Sequence, residues 1–297
     1  MENGMKKAFP TWSDMLAMLG VFIAATVLCG IVFGLLVRAG ILSQGLSVFL
    51  SYSIQFVVTI VYALAVRRLR TGSRKALAFG FRGVNPTIVL GGVLATFATS
   101  VVVEPLIGTM PDVWLDTLEQ QMKLGGWVIL TTVVMAPLCE EILFRGILQD
   151  ALTVKYGPLR GILIASAVFG VIHLIPQQAI NAFFVGIVLG YIYYRTRSLI
   201  PVIAIHAINN AVSYLSWMLG GRELVSTREM IGSDTLYYIV YGAACAVCLG
   251  AFVTIAVTVR RAEKKAAAAS AAERMPEEGS GRDENKVSPR NDNINGD

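Results

Sequence analysis

Eight long apolar runs, parted by short polar segments, dominate the chain: about 14–37, 46–66, 86–108, 127–149, 158–176, 178–194, 199–219 and 236–259. Each approaches the roughly 20 residues that a helix needs to cross hydrocarbon. Only Pro176, Gln177 and Gln178 separate the fifth run from the sixth. The first follows Lys6 and Lys7 but is too long for the apolar core of a signal peptide, and no small-residue cleavage site ends it. A retained helix is expected there. Trp114, Leu118 and Met122 recur at helical spacing between Asp112, Asp116 and Glu119, which predicts a short helix on the outer surface. The pattern is that of an all-α, multi-pass helical bundle with no internal repeat.

Composition supports this class. The chain is 55% apolar and 15% charged, against about 25% charged in an ordinary soluble domain. Residues 262–297 hold 14 of the 45 Asp, Glu, Lys and Arg, so the body is poorer still in charge. A soluble enzyme and a disulfide scaffold are excluded. The net charge of +5 does not point to nucleic acid, because the basic residues flank apolar runs. With the N-terminus cytoplasmic, sixteen basic residues fall in inner segments, among them Arg67, Arg68, Arg195, Arg197, Arg260 and Arg261; the outer loops hold four, Arg38, Lys123, Arg222 and Arg228. That asymmetry predicts eight transmembrane helices with both termini cytoplasmic. The divisions expected are 1–126 (helices one to three with the outer segment), 127–220 (the chemical core), 221–261 (the last helix) and a disordered charged tail over 262–297. Cys29, Cys139, Cys245 and Cys248 all lie in apolar stretches and read as packing residues.

A charge inside hydrocarbon costs several kcal/mol unless it is paired or hydrated, so each such residue is a functional candidate. The fourth run contains Glu140, Glu141 and Arg145. Glu141 and Arg145 are i and i+4 and predict an ion pair. Glu140 points about 100° away and has no sequence-local partner, which leaves it available as a general base. The only two histidines, His173 and His206, both sit in apolar runs, and Asn210 lies one turn beyond His206. At about 1.5 Å of rise per residue, Glu140 and His173 each stand about 22 Å from the inner side, and His206 and Asn210 fall near the same layer. Glu104, near the end of the third run, reads as an exposed helix end. Asn181 and Asn209 fit either the site or a bond between helices, and Gly186 and Gly190 have the spacing of a close helix contact.

A carboxylate with an imidazole can deprotonate a water for attack on a carbonyl, and a second imidazole with an amide N–H can stabilise the oxyanion. Glu140 with His173, and His206 with Asn210, fit these roles. A catalytic zinc on Glu140, His173 and His206 is the other reading, although no His-Glu-x-x-His is present.

The same residues resemble the CAAX-protease and bacteriocin-processing (CPBP or ABI) intramembrane proteases. The motifs of that family are Glu-Glu-x-x-x-Arg, Phe-x-x-x-His and His-x-x-x-Asn. Here they stand in order as Glu140-Glu141 to Arg145, Phe169 to His173 and His206 to Asn210. The resemblance covers roughly residues 127–215. It implies an integral membrane endopeptidase of the prenyl-protein-processing type, with Glu140 as water activator, His173 assisting, and His206 and Asn210 as oxyanion stabilisers. Glu141 and Arg145 complete the first motif. Metallo- and metal-free mechanisms both stand for the family; the wide spacing of the three ligands here favours no tightly held zinc. The expected partners are membrane lipid and a peptide or membrane-protein substrate, with no nucleic acid, in a bacterial inner membrane. The alternative from another class is a non-catalytic immunity or signalling scaffold of the same fold; a transporter lacks the inverted repeats it would need.

Overall fold

In hydrocarbon a backbone can satisfy its polar groups only within itself, and among the described residues every regular element is a helix. The computed structural model describes residues 9–72, 77, 79–80, 86–110, 115–221 and 226–272. In order the helices are α1 (Trp12–Arg38), α2 (Gln44–Thr71), α3 (Pro86–Ile107), α4 (Leu115–Met122), α5 (Gly126–Tyr156), α6 (Pro158–Val171), α7 (Pro176–Thr196), α8 (Leu199–Leu219), α9 (Thr227–Ile231) and α10 (Asp234–Ala272). Six are long and apolar enough to span a membrane: α1, α2, α3, α5, α8 and, over Asp234–Thr254, α10. The chain is thus an integral, multi-pass membrane protein. α6 and α7 stand outside that set, and the 14 residues of α6 reach only about 21 Å.

Helix ends follow local chemistry. Thr11 forms a capping box with Asp14, and Ser43 caps α2. Gly157, at a φ of 84°, and Pro158 at the first position of α6 turn the chain sharply between α5 and α6. Arg197 in the left-handed region and Ser198 as cap do the same between α7 and α8. Turns this short force antiparallel neighbours.

The centre of the bundle is α5. Half of its most apolar stretch is buried, against 6% for that of α1, and α2, α6, α7 and α8 pack around it. One part of the core joins Phe56, Phe144, Ile147, Leu152 and Phe169 from α2, α5 and α6. Another joins Ile162, Leu189, Leu199, Val202 and Ile205 from α6, α7 and α8. Leu16, Ile23, Leu28, Ile31 and Leu35 of α1 face outward, as a lipid-facing helix should. Gly186 and Gly190 are indeed contact positions: a Cβ at Gly190 would stand 2.7 Å from Gln149 Oε1. Gly170 is as close, but to backbone, with its Cβ position 2.7 Å from the Ala179 carbonyl oxygen.

Three expectations change. The fifth run is helical only to Val171; Ile172 caps it, Leu174 takes a φ of 60°, and Pro176 starts the next helix. His173 therefore lies on a turn and not in a helix. The tail expected to be disordered over 262–297 continues α10 as far as Ala272, because its alanines extend an established helix at little cost. The surface helix forms as α4, although Trp114 and Asp112 lie outside the described residues. Glu104 accepts the Thr227 backbone N–H at 2.6 Å, so it ties α3 to the start of α9.

Candidate active site

The site is built on an irregular part of α5. Residues Thr131–Met135 and Ile142–Gln149 are π-helical, with an α-helical stretch Ala136–Glu141 between them. Pro137 accounts for a local vacancy in the hydrogen bonding. The Ala136 N–H bonds to the Thr131 carbonyl, and Pro137 has no N–H to offer the next carbonyl, that of Thr132. Asn210 of α8 supplies the donor instead, from Nδ2 at 2.9 Å. An amide of the third motif is thus anchored to the helix that carries the first. Such π segments recur at functional sites.

Glu141 is fully buried and makes the expected pair with Arg145. Arg145 Nη1 donates to Glu141 Oε1 at 3.2 Å, and Nε stands 3.1 Å from Oε2. The guanidinium also donates to the Gly186 carbonyl at 3.3 Å and stacks 4.3 Å from the centre of the Phe169 ring. It thereby joins α5 to α6 and α7. Glu141 Oε1 takes a further bond from His206 Nδ1 at 2.8 Å. A carboxylate oxygen can only accept, so this nitrogen carries a proton and Nε2 is the free edge of the ring.

That free edge faces Glu140, with Nε2 3.7 Å from Oε2. The other oxygen of Glu140 accepts a hydrogen bond from the Tyr52 hydroxyl at 2.5 Å. Tyr52 lies on α2 and its ring packs 4.8 Å from Phe56. Glu140 has no partner close in sequence, but it has one across the bundle.

Phe169 does more than mark a spacing. Its carbonyl oxygen pairs with His173 Nδ1 at 2.8 Å, which places the proton on Nδ1 and leaves Nε2 bare. Its ring meets His173 and His206 edge-on, at 5.0 Å and 6.0 Å between centres. One phenylalanine therefore orients both imidazoles and the arginine.

Glu140, His173, His206 and Asn210 all line one cavity of about 410 Å³. Glu141 and Arg145 do not reach it; they stand behind it, holding His206. Leu118, Gln121 and Met122 of α4 line it as well, and Tyr214 ties α4 to α8 by donating to the Met122 carbonyl at 2.9 Å. Sequence reasoning missed Tyr52 and left Asn181 and Asn209 undecided; all three line the cavity. A lone tyrosine in an apolar run gives no signal of such a bond.

The ligand set for a metal fits only in part. Both imidazoles have Nδ1 engaged and Nε2 free, the arrangement that metal-bound histidines use. Among the described residues, however, no three His, Cys, Asp or Glu side chains gather closely enough to hold an ion.

Residues 123–212 match the family model described as Rce1-like, type II CAAX prenyl endopeptidase. All three motifs, with Glu140, His173, His206 and Asn210, fall inside that span, and Tyr52 lies outside it. No curated protein and no solved structure matches the chain. Over this third of its length, the resemblance drawn from the motifs is shown.

Proposed function

We propose that a chain carrying this endopeptidase segment cleaves a peptide bond inside the membrane, with Glu140 as the base that activates water. The observation that carries the reading is the opening of Glu140, His173, His206 and Asn210 into a single cavity within the bundle. Water held between Glu140 Oε2 and the bare Nε2 of His173 gives up a proton to the carboxylate as its oxygen attacks the scissile carbonyl. The oxyanion is met by His206 Nε2–H, in its protonated form, and by the second N–H of Asn210. Glu141 steadies the imidazolium through Nδ1, as a buried carboxylate does in a hydrolase triad. When the tetrahedral intermediate collapses, Glu140 returns the proton to the leaving nitrogen. The balance is one water added across one peptide bond. The loop charges support an inner-membrane setting with both ends in the cytoplasm.

The test compares wild type and Glu140→Ala on a panel of membrane-protein substrates in proteoliposomes, with and without a chelator. Cleavage by wild type alone, unchanged by chelation, is expected. Equal processing by both proteins removes the catalytic role of Glu140, and binding without cleavage by either is the scaffold outcome. Loss on chelation with rescue by zinc replaces the metal-free mechanism.

A further inference from the structure

Two side chains in the cavity wall have an amide oxygen with no hydrogen-bond partner. α7 turns Gln178, Asn181 and Val185 towards the cavity, and α8 turns His206, Asn209 and Asn210; these are the i, i+3, i+4 and i+7 rows of a single helix face. Most polar neighbours there are engaged. Tyr52 donates to Glu140, Asn210 to Thr132, and Ser213 to the Asn209 carbonyl. By contrast, the side-chain oxygens of Asn181 and Asn209 are sealed from solvent with no partner, and Asn209 as a residue is only 7% exposed. A buried amide left unpaired carries its full desolvation cost, and buried polar groups in folded proteins nearly always find a partner.

A carboxamide offers one acceptor and a pair of donors, which is the complement of a peptide group. Two of them, on neighbouring helices beside the base and its imidazoles, suit the main chain of an extended segment. We infer that Asn181 and Asn209 form a peptide-backbone-binding subsite, which holds the main chain of an unfolded stretch of substrate so that a peptide bond presents itself to Glu140. The inference rests on the peptidase reading and adds the substrate class: an extended segment recognised through its backbone N–H groups, with little demand on the side chains at those positions. A helical substrate has no such groups to give, since its own N–H groups are bonded internally. The segment must therefore unwind before it binds.

The experiment uses the full chain in detergent with Glu140→Gln to prevent turnover, and capped apolar octapeptides as probes, each also made with one backbone amide N-methylated. Binding is read by anisotropy of a dye-labelled probe. The parent peptides are expected to bind, and N-methylation at one or two positions to weaken them about tenfold, the value of one hydrogen bond. Asn209→Leu and Asn181→Leu should weaken the parent by a similar factor and abolish the effect of N-methylation at the matching position. N-methylation penalties that persist unchanged in both variants overturn the subsite, as does parent binding that neither substitution alters, or absence of binding at millimolar peptide. Asn209→Ser and Asn181→Ala, checked by thermal melting, carry the comparison where a leucine variant does not fold. Binding is measured without turnover, so a chain that binds as described while the wild type cleaves nothing loses the peptidase reading and keeps this one.

Discussion

His206 donates its Nδ1–H to Glu141 Oε1 at 2.8 Å, which joins the third motif to the first through a carboxylate that Arg145 also pairs. The bond fixes the ring so that its other nitrogen faces the cavity. Glu141 therefore meets two partners at once, the guanidinium of Arg145 and the imidazole of His206.

Substituting Glu141 affects both partners together, and the result is informative for that reason. Glu141→Gln leaves the guanidinium of Arg145 buried without its counter-ion, a loss of about 3–5 kcal/mol when one member of a buried pair is removed. Folded yield and melting temperature in detergent should both fall. A protein that folds normally yet cleaves nothing would instead give Glu141 a direct part in the chemistry.

Tyr52 makes the opposite case. Tyr52→Phe keeps the ring against Phe56 and deletes only the hydroxyl that donates to Glu140. Hydrogen bonds to charged groups are worth about 1.5–3 kcal/mol, so kcat is expected to change by roughly ten- to a hundredfold with KM and melting temperature little altered. A change confined to KM contradicts a role in holding the carboxylate.

Much of the fold could be read from the length of the apolar runs, because a bilayer leaves a long apolar segment few alternatives to a helix. The ion pair of Glu141 with Arg145 was legible too, since four residues along one helix face is a local relation. What was hidden depends on packing between helices. Glu140 and Tyr52 are 88 residues apart, and the bond from His206 to Glu141 spans 65. No periodicity encodes either. The turn at His173 was obscured by the apolar residues around it, Ile172, Leu174 and Ile175, which read as helix until the positive φ of Leu174 is seen. The π segments of α5 were equally silent, as an apolar stretch looks alike in α and π form.

Asn210 should matter to the fold as well as to the site. Asn210→Ala orphans the Thr132 carbonyl, at a cost of about 1–3 kcal/mol, and Asn210→Asp removes the donor while keeping the shape. Both variants are expected to melt earlier than wild type. Asn210→Gln, which keeps the donor on a longer arm, should recover stability without full activity; equal activity in all three would show that the amide serves structure alone.

Gly170 tests how closely α6 and α7 must approach. A methyl group there meets the Ala179 carbonyl oxygen at 2.7 Å, and backbone cannot step aside as a side-chain tip can. Gly170→Ala should cost about 1–3 kcal/mol as overpacking and lower activity by displacing His173, three residues on. Gly20→Ala on α1, where nothing stands within 4 Å, is the matched control and should change neither.

The two π segments make α5 a helix of offset sections, each with its own rotational phase. Deleting one residue from Thr131–Met135 lets the helix relax to regular α geometry with little change of phase beyond it, because five π residues turn about as far as four α residues. Glu140 would then still face the cavity, and Glu141 and Arg145, both downstream, keep their spacing to each other. The π turn thus absorbs one residue without turning Glu140 away. A chain one residue shorter at that point could retain every motif and still present Glu140 to the cavity.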